Sequence, residues 1–362
     1  MDSSLFPSVR ALNRTFVLLS ALFYVANTQV YIGWEGVETP VSTKINDAIT
    51  TNLYPGFYWM VGASNVILYT EDEGASWLSK PTTITSTGLD WHGVSFPKHC
   101  FDNPDYTPGA FFQICNYRTG FVVGKYGTIV KSDDLGETWE LQNNFVFAGR
   151  TELQSRISTL TFHDIQAVPM EPSGLYVWVV GDQGAIFFSS DLGQTWVVQD
   201  SRISDTLHTV AMLDNTTGFT AGANGYILKT TDSGQTWTFE QSGLVGNEFN
   251  PGPTLYELSV YQNSTEGTAV VWAAGEGGTI AFLSDISRSY WSQAASCTSD
   301  KTLYTIAFRY TLQIGWAFGD SGIACKTYDG GANWGIDVQC PVRITYRGVA
   351  EYDPIMWRNA AR

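Results

Sequence analysis

The residues best placed to do chemistry in this chain are three histidines at equivalent positions. His92, His163 and His208 each stand second in a short apolar segment: Trp91-His92-Gly93-Val94-Ser95-Phe96, Phe162-His163-Asp164-Ile165-Gln166-Ala167 and Leu207-His208-Thr209-Val210-Ala211-Met212. Three imidazoles spaced around one axis could bind zinc. Three later segments carry the same pattern with other side chains in the slot, namely Tyr256, Tyr304 and Arg347. A position that accepts imidazole, phenol and guanidinium alike is a slot for any planar amphipathic group. The expectation is therefore packing or channel lining first, contact with a partner second and metal third. A second set of candidates is acidic. Asp182, Glu276 and Asp320 follow glycines in Gly-x-x-Gly turns and would form either a solvated rim or part of a protein-binding surface. Ser-His-Asp, Cys-His and metal-ligand spacings are not visible, so no catalytic, cofactor-binding or metal residue is assigned.

These side chains must be positioned by a repeat. A glycine followed ten residues later by an aspartate recurs from Gly62 to Asp72, Gly124 to Asp134, Gly181 to Asp191, Gly222 to Asp232, Gly275 to Asp285 and Gly319 to Asp329. The internal spacing is constant while successive aspartates lie 41 to 62 residues apart, so each copy is a rigid supersecondary unit joined by tolerant loops. Within the second copy, a hydrophobic stretch ends at Gly124, a β-branched stretch follows, and Ser132-Asp133-Asp134-Leu135-Gly136-Glu137-Thr138-Trp139 reverses the chain. This reads as strand, hairpin, strand, hairpin, strand. Asp134 and Ser132 can accept turn N–H groups, Gly136 permits positive φ, and Trp139 is expected to cover the hairpin. All six aspartates read as turn builders. The fifth copy, Asp285-Ile286-Ser287-Arg288-Ser289-Tyr290-Trp291, lacks the glycine and has one extra residue. The segments that carry the planar residues supply a further, innermost strand for each unit.

This wording resembles the Asp-box (BNR repeat) β-propellers over about residues 40–352, and most of all the photosystem II stability and assembly factor branch. The resemblance implies an all-β propeller, seven-bladed and lumenal in that branch, that binds protein and is not an enzyme. Asp-boxes also occur in sialidases, in endoglucanases and in sortilin-type receptors. Arginines stand near the blade starts (Arg150, Arg156, Arg202, Arg309, Arg343), but the Arg-Ile-Pro phrase of sialidases is missing and no distinctive acid accompanies them. A cleft between two propellers, as endoglucanases use, needs a longer chain.

The fold class expected is thus a β-propeller with six Asp-box blades. The final segment near 344–352 is followed by Ile355–Ala360 with no aspartate turn, so a seventh blade, completed by N-terminal residues near Gln29–Trp34, is expected to close the ring. Residues 1–28 read as a signal peptide: Arg10 and Arg14 precede the apolar run Phe16–Ala26, with a small-residue cleavage site before Gln29. Residues 29–362 form a single propeller domain. The net charge of −15 and the lack of a basic run argue against nucleic acid and favour solubility or a basic partner.

Two features point to an oxidising, glycosylating compartment. The sequons at Asn215 and Asn263 fall in equivalent loops, and Cys100 and Cys115 bracket an insertion in the same loop of another blade, where a disulfide could close it. Cys297, Cys325 and Cys340 have no pairing legible from sequence. The function expected is a protein-binding propeller assisting a membrane complex such as photosystem II. A secreted or cell-surface glycoprotein with a structural or receptor role is the alternative, and a sialidase-like glycosidase stands third. The corresponding locations are the secretory pathway or cell surface, or a thylakoid lumen.

Overall fold

A computed structural model describes residues 16–337, apart from 27–28, 39–42, 51–56, 73–74, 85–87, 98, 103–112, 117, 148, 171–173, 248, 264–267 and 309–312. It is an all-β propeller of six blades. Each blade is an antiparallel sheet with its first strand innermost. The inner strands are Ile45–Thr50, Trp91–Ser95, Phe162–Met170, Leu207–Met212, Leu255–Asn263 and Leu303–Phe308. The second strands, such as Tyr58–Gly62, Gly120–Gly124, Gly218–Gly222 and Gly315–Gly319, are buried along their whole length. Three of them open on glycine for a steric reason. A Cβ on Gly120, Gly218 or Gly315 would lie 2.1 Å from Phe96, 2.1 Å from Met212 and 2.7 Å from Phe308, respectively, the last large residues of the adjoining inner strands.

Adjacent blades are joined by large aromatic surfaces. Trp59 of the first blade stacks on Phe96 of the second at 4.4 Å, and Trp272 of the fifth stacks on Phe308 at 3.7 Å. The tryptophans that end the aspartate turns also serve these junctions. Sequence reading sets Trp139 over its own hairpin, but its indole N–H instead donates to Lys80 O of the preceding blade, as Trp237 does to Gln199 and Trp291 to Glu240. A flat ring can bury more surface between two sheets than on the edge of one. The third blade gains a fifth strand, Phe145–Val146, which runs parallel to Trp196–Gln199.

The aspartate turns have the structure expected of them. Asp134 Oδ1 accepts the Thr138 N–H at 2.9 Å, its Oδ2 accepts the Thr138 hydroxyl at 2.6 Å, and Ser132 Oγ accepts the Gly136 N–H at 2.7 Å. The same pattern recurs at Asp191, Asp232 and Asp329. Asp285 bonds within its own short loop, to Ser287 and to the Arg288 guanidinium at 3.2 Å, as the degenerate sequence implies. Hydrogen bonds from Asn333 pull Asp329 down to about 2. Removing such an acceptor leaves turn N–H groups unpaired, so Asp134→Ala should lower stability by about 1–3 kcal/mol in chemical denaturation without altering binding.

The six expected blades are all present. The first aspartate turn has its own inner strand, Ile45–Thr50, so all six turns belong to complete sheets, five of four strands and the third of five. A seventh, closing blade is not shown. Gln29–Glu38, which includes Gln29–Trp34, pairs instead with Phe16–Ala26 in a separate two-stranded sheet. The segment 344–352, Arg347 and Cys340 lie outside the described residues. Among the cysteines, Cys297 is bonded to Cys325, with Cα atoms 5.7 Å apart, and fastens the loop leaving the fifth blade to the third strand of the sixth. Cys100 lies directly opposite Cys115 in the register of His99–Asp102 with Gln113–Asn116, the backbone arrangement their expected bridge requires.

Candidate functional site

All six inner strands share one irregularity. Each ladder slips by one residue between its first and third positions, at Ile45/Asp47, Trp91/Gly93, Phe162/Asp164, Leu207/Thr209, Leu255/Glu257 and Leu303/Thr305. The bulged residue is in every case the planar one: Asn46, His92, His163, His208, Tyr256 or Tyr304. A bulge frees one residue from the ladder and re-aims its side chain. Here it turns six planar side chains to the mouth of the central channel, where a cavity of about 180 Å³ is lined by them together with Asp47, Asp164 and Glu257. Five of the rings form a continuous arc, with centroids 5.5 Å apart from His92 to His163, 4.7 Å to His208, 5.1 Å to Tyr256 and 5.0 Å to Tyr304. Deeper in the channel a second cavity of about 300 Å³ is lined by all six strands.

The imidazoles thus stand edge to face along a wall and do not converge. Among the described residues no three His, Cys, Asp or Glu side chains are grouped to hold a metal ion. Burial, reinforced by neighbouring His163, pushes His92 down to about 4, so this ring is neutral near pH 7. Its Nε2 is buried without a hydrogen-bond partner.

The residue after each bulge ties the ring together. Asp47 accepts the Val94 N–H of the next inner strand at 2.9 Å, Asp164 accepts that of Val210 at 2.8 Å, and Thr209 Oγ1 accepts that of Leu258 at 3.3 Å. The second blade has Gly93 at this position, since a Cβ would lie 2.9 Å from the Asp164 backbone. Burial first, and then the charge of Asp164, raises Asp47 to about 7. Burial also raises Asp164, against the hydrogen bonds it accepts from Val210 and Ile165.

The acidic residues of the Gly-x-x-Gly turns lie on the same face as the arc, because these turns and the starts of the inner strands share one end of each antiparallel blade. His163 Nε2 is 2.9 Å from Asp182 Oδ1. Asp182 and Glu276 also accept the N–H of Thr161 and Thr254 at 2.8 Å, and Asp320 that of Thr302 at 3.4 Å. They are therefore turn builders as well as rim charges, and reversing their charge would disturb the fold. The expected rim and arc are one surface, which sequence spacing alone had left separate.

Sequence reasoning missed Asn46, and it missed Phe249. The loop leading into the fifth blade is fixed by Gly252 N–H to Asn224 Oδ1 at 2.7 Å and by Asn247 Oδ1, which accepts the N–H groups of Phe249 and Asn250 at 3.0 Å. This turn leaves Phe249 93% exposed on the face that carries the channel mouth, with Tyr126 and Val245 also exposed there. The opposite face carries the aspartate turns. The loop holding Asn215 joins it, with Asn215 O accepting the Ser233 hydroxyl at 2.6 Å. Asn263 ends its inner strand at that same side of the fifth blade.

No protein-family model and no curated protein matches the chain. Solved structures do. YCF48 bound to D1 peptide aligns with a TM-score of 0.62 at 16% identity, covering 98% of this chain and 94% of that one. YCF48 from Cyanidioschyzon merolae aligns at 0.59 and 16%, covering 86% and 90%. A GH74 xyloglucanase from Xanthomonas campestris aligns at 0.56 and 11%, covering 81% of this chain and 47% of that one. These likenesses establish the propeller fold.

Proposed function

We propose that this chain is a non-enzymatic Asp-box propeller that binds another protein, and that it acts as an assembly or stability factor for a membrane protein complex such as photosystem II. The observation that carries the reading is the composition of one face. It gathers an exposed phenylalanine, a channel mouth walled by five planar rings and a set of acidic turns, while the opposite face is occupied by structural turns and the loops that bear the sequons. An exposed aromatic on a fixed turn is an anchor of the kind that dominates protein interfaces. The solved neighbour that holds a D1 peptide supplies the kind of ligand to try first.

The compartment proposed is an oxidising one, secretory or lumenal, in keeping with the Cys297–Cys325 bridge. The sequons keep a cell-surface glycoprotein as the alternative. The assembly-factor reading is tested by titrating a fluorescent D1 peptide with the wild-type protein and with Phe249→Ala. Saturable binding that weakens about tenfold or more in the variant supports it. An unbound peptide would contradict it.

A further inference from the structure

We infer that the channel mouth is a receptor for a single arginine side chain, presented by the protein partner, whose guanidinium enters between the arc of planar rings and the channel carboxylates. The inference rests on the protein-binding reading and names the chemistry of one contact within it. Three independent observations lead to it. Six bulges in six blades aim planar side chains at one cavity. The cavity, about 180 Å³, accepts a side-chain head and is too small for a strand or a helix. Its wall offers ring faces and its floor offers acceptors: the carboxyl groups of Asp47 and Asp164 and His92 as a neutral imidazole with a buried, unpartnered nitrogen.

A planar cation with several donors meets both halves of this site. Guanidinium stacks on aromatic faces and donates in a fixed fork to oxygen acceptors, while remaining charged at any pH the fold tolerates. An ammonium could use the floor but would gain less from the wall. An anion would meet carboxylates, and an apolar side chain would leave them unpaired. The chain's net charge of −15 would draw a basic segment toward the site from a distance.

The chain has four histidines, and only His99 lies away from the arc, in the hairpin His99–Asp102 with Gln113–Asn116 on the opposite side of the second blade. Imidazole resonances therefore report the site with an internal control. Protein carrying ¹³C-labelled histidine is titrated with N-acetyl-arginine amide, and in parallel with the uncharged isostere N-acetyl-citrulline amide. The arginine compound is expected to shift the resonances of His92, His163 and His208 saturably, to leave that of His99 in place, and to bind at least about tenfold more tightly than the citrulline compound. Tyr304→Ala, checked for an unchanged thermal transition, is expected to weaken the arginine compound several-fold. Equal response to both compounds, or no saturable response to either, overturns the inference. It would do so even if the D1 peptide binds through Phe249, in which case the protein-binding reading stands and only this contact falls.

Discussion

Asp47→Asn is expected to gain stability relative to the wild type as pH rises from about 4 to 7 and to have the higher melting temperature at pH 8. The carboxyl of Asp47 lies deep in the ring, although it lines the channel. It faces Asp164 across Gly93, with His92 and His163 on the neighbouring strands and His208, Tyr256, Glu257 and Tyr304 around the mouth. Burial and the Asp164 charge raise it from 3.8 to about 7. The sign follows directly. Between these values the folded state holds a proton that the unfolded chain has released, so the contribution of Asp47 is greatest below pH 4, declines as pH rises, and levels off above pH 7, while His92, lowered to about 4, acts in the opposite sense over the lower part of that range. A shift of about 3 units corresponds to something on the order of 4 kcal/mol from this one group. Asparagine carries no charge and removes that dependence. It can satisfy only one of the two backbone N–H groups that the carboxylate accepts, which returns about 1 kcal/mol of the gain at pH 8. The aspartates of the turns, lowered by their hydrogen bonds, act in the opposite sense and at lower pH. Denaturant titrations of both proteins at pH 5 and pH 8 check the claim, and a difference between variant and wild type that is the same at both pH values would refute it.

The second large effect is expected from the Cys297–Cys325 bond. It closes a loop of 28 residues between the fifth blade's exit and a fully buried position of the sixth. On the chain-entropy model, opening a loop of this length should cost about 3–4 kcal/mol. Cys297→Ser is the cleaner variant, because Cys297 is only partly buried and the change leaves the Cys325 site packed. Its unfolding free energy should fall by this amount, and reductant should lower the wild type by this amount more than it lowers the variant, since a Cys100–Cys115 bond would be opened in both. An unchanged wild type on reduction would show that the bridge is not formed.

Much of the fold was legible because its signal is local. A fixed glycine-to-aspartate spacing needs only turn chemistry to interpret, and each turn builds the hydrogen bonds its residues suggest. The inner strand of the first blade was harder. Ile45-Asn46-Asp47-Ala48-Ile49 has two polar residues in succession and resembles a loop, since the reason for Asn46 and Asp47 lies in the neighbouring strand that they bond. The six bulges are invisible for a related reason: a ladder slip is a relation between two strands, and each strand alone shows only a planar residue in the second place. The histidines were correctly grouped, yet whether they converge or form a wall depends on ring spacing, which the repeat does not encode. Phe249 left no signal at all, because one aromatic in a polar loop looks the same whether it turns in or out. The Cys297–Cys325 pairing likewise depends on which blades meet.

The central claim is that partners dock on the face of the channel mouth, and a two-sided comparison tests it most directly. Phe249 is 93% exposed on that face, and Tyr328, beside the aspartate turn of the sixth blade, is 67% exposed on the other. The affinity of the D1 peptide is measured by fluorescence polarisation for the wild type, Phe249→Ala and Tyr328→Ala, with thermal transitions recorded for all three. Docking on the channel-mouth face requires that Phe249→Ala weaken binding about tenfold or more while Tyr328→Ala leaves it unchanged. Loss of binding in Tyr328→Ala with full retention in Phe249→Ala would place the partner on the opposite face and contradict the claim.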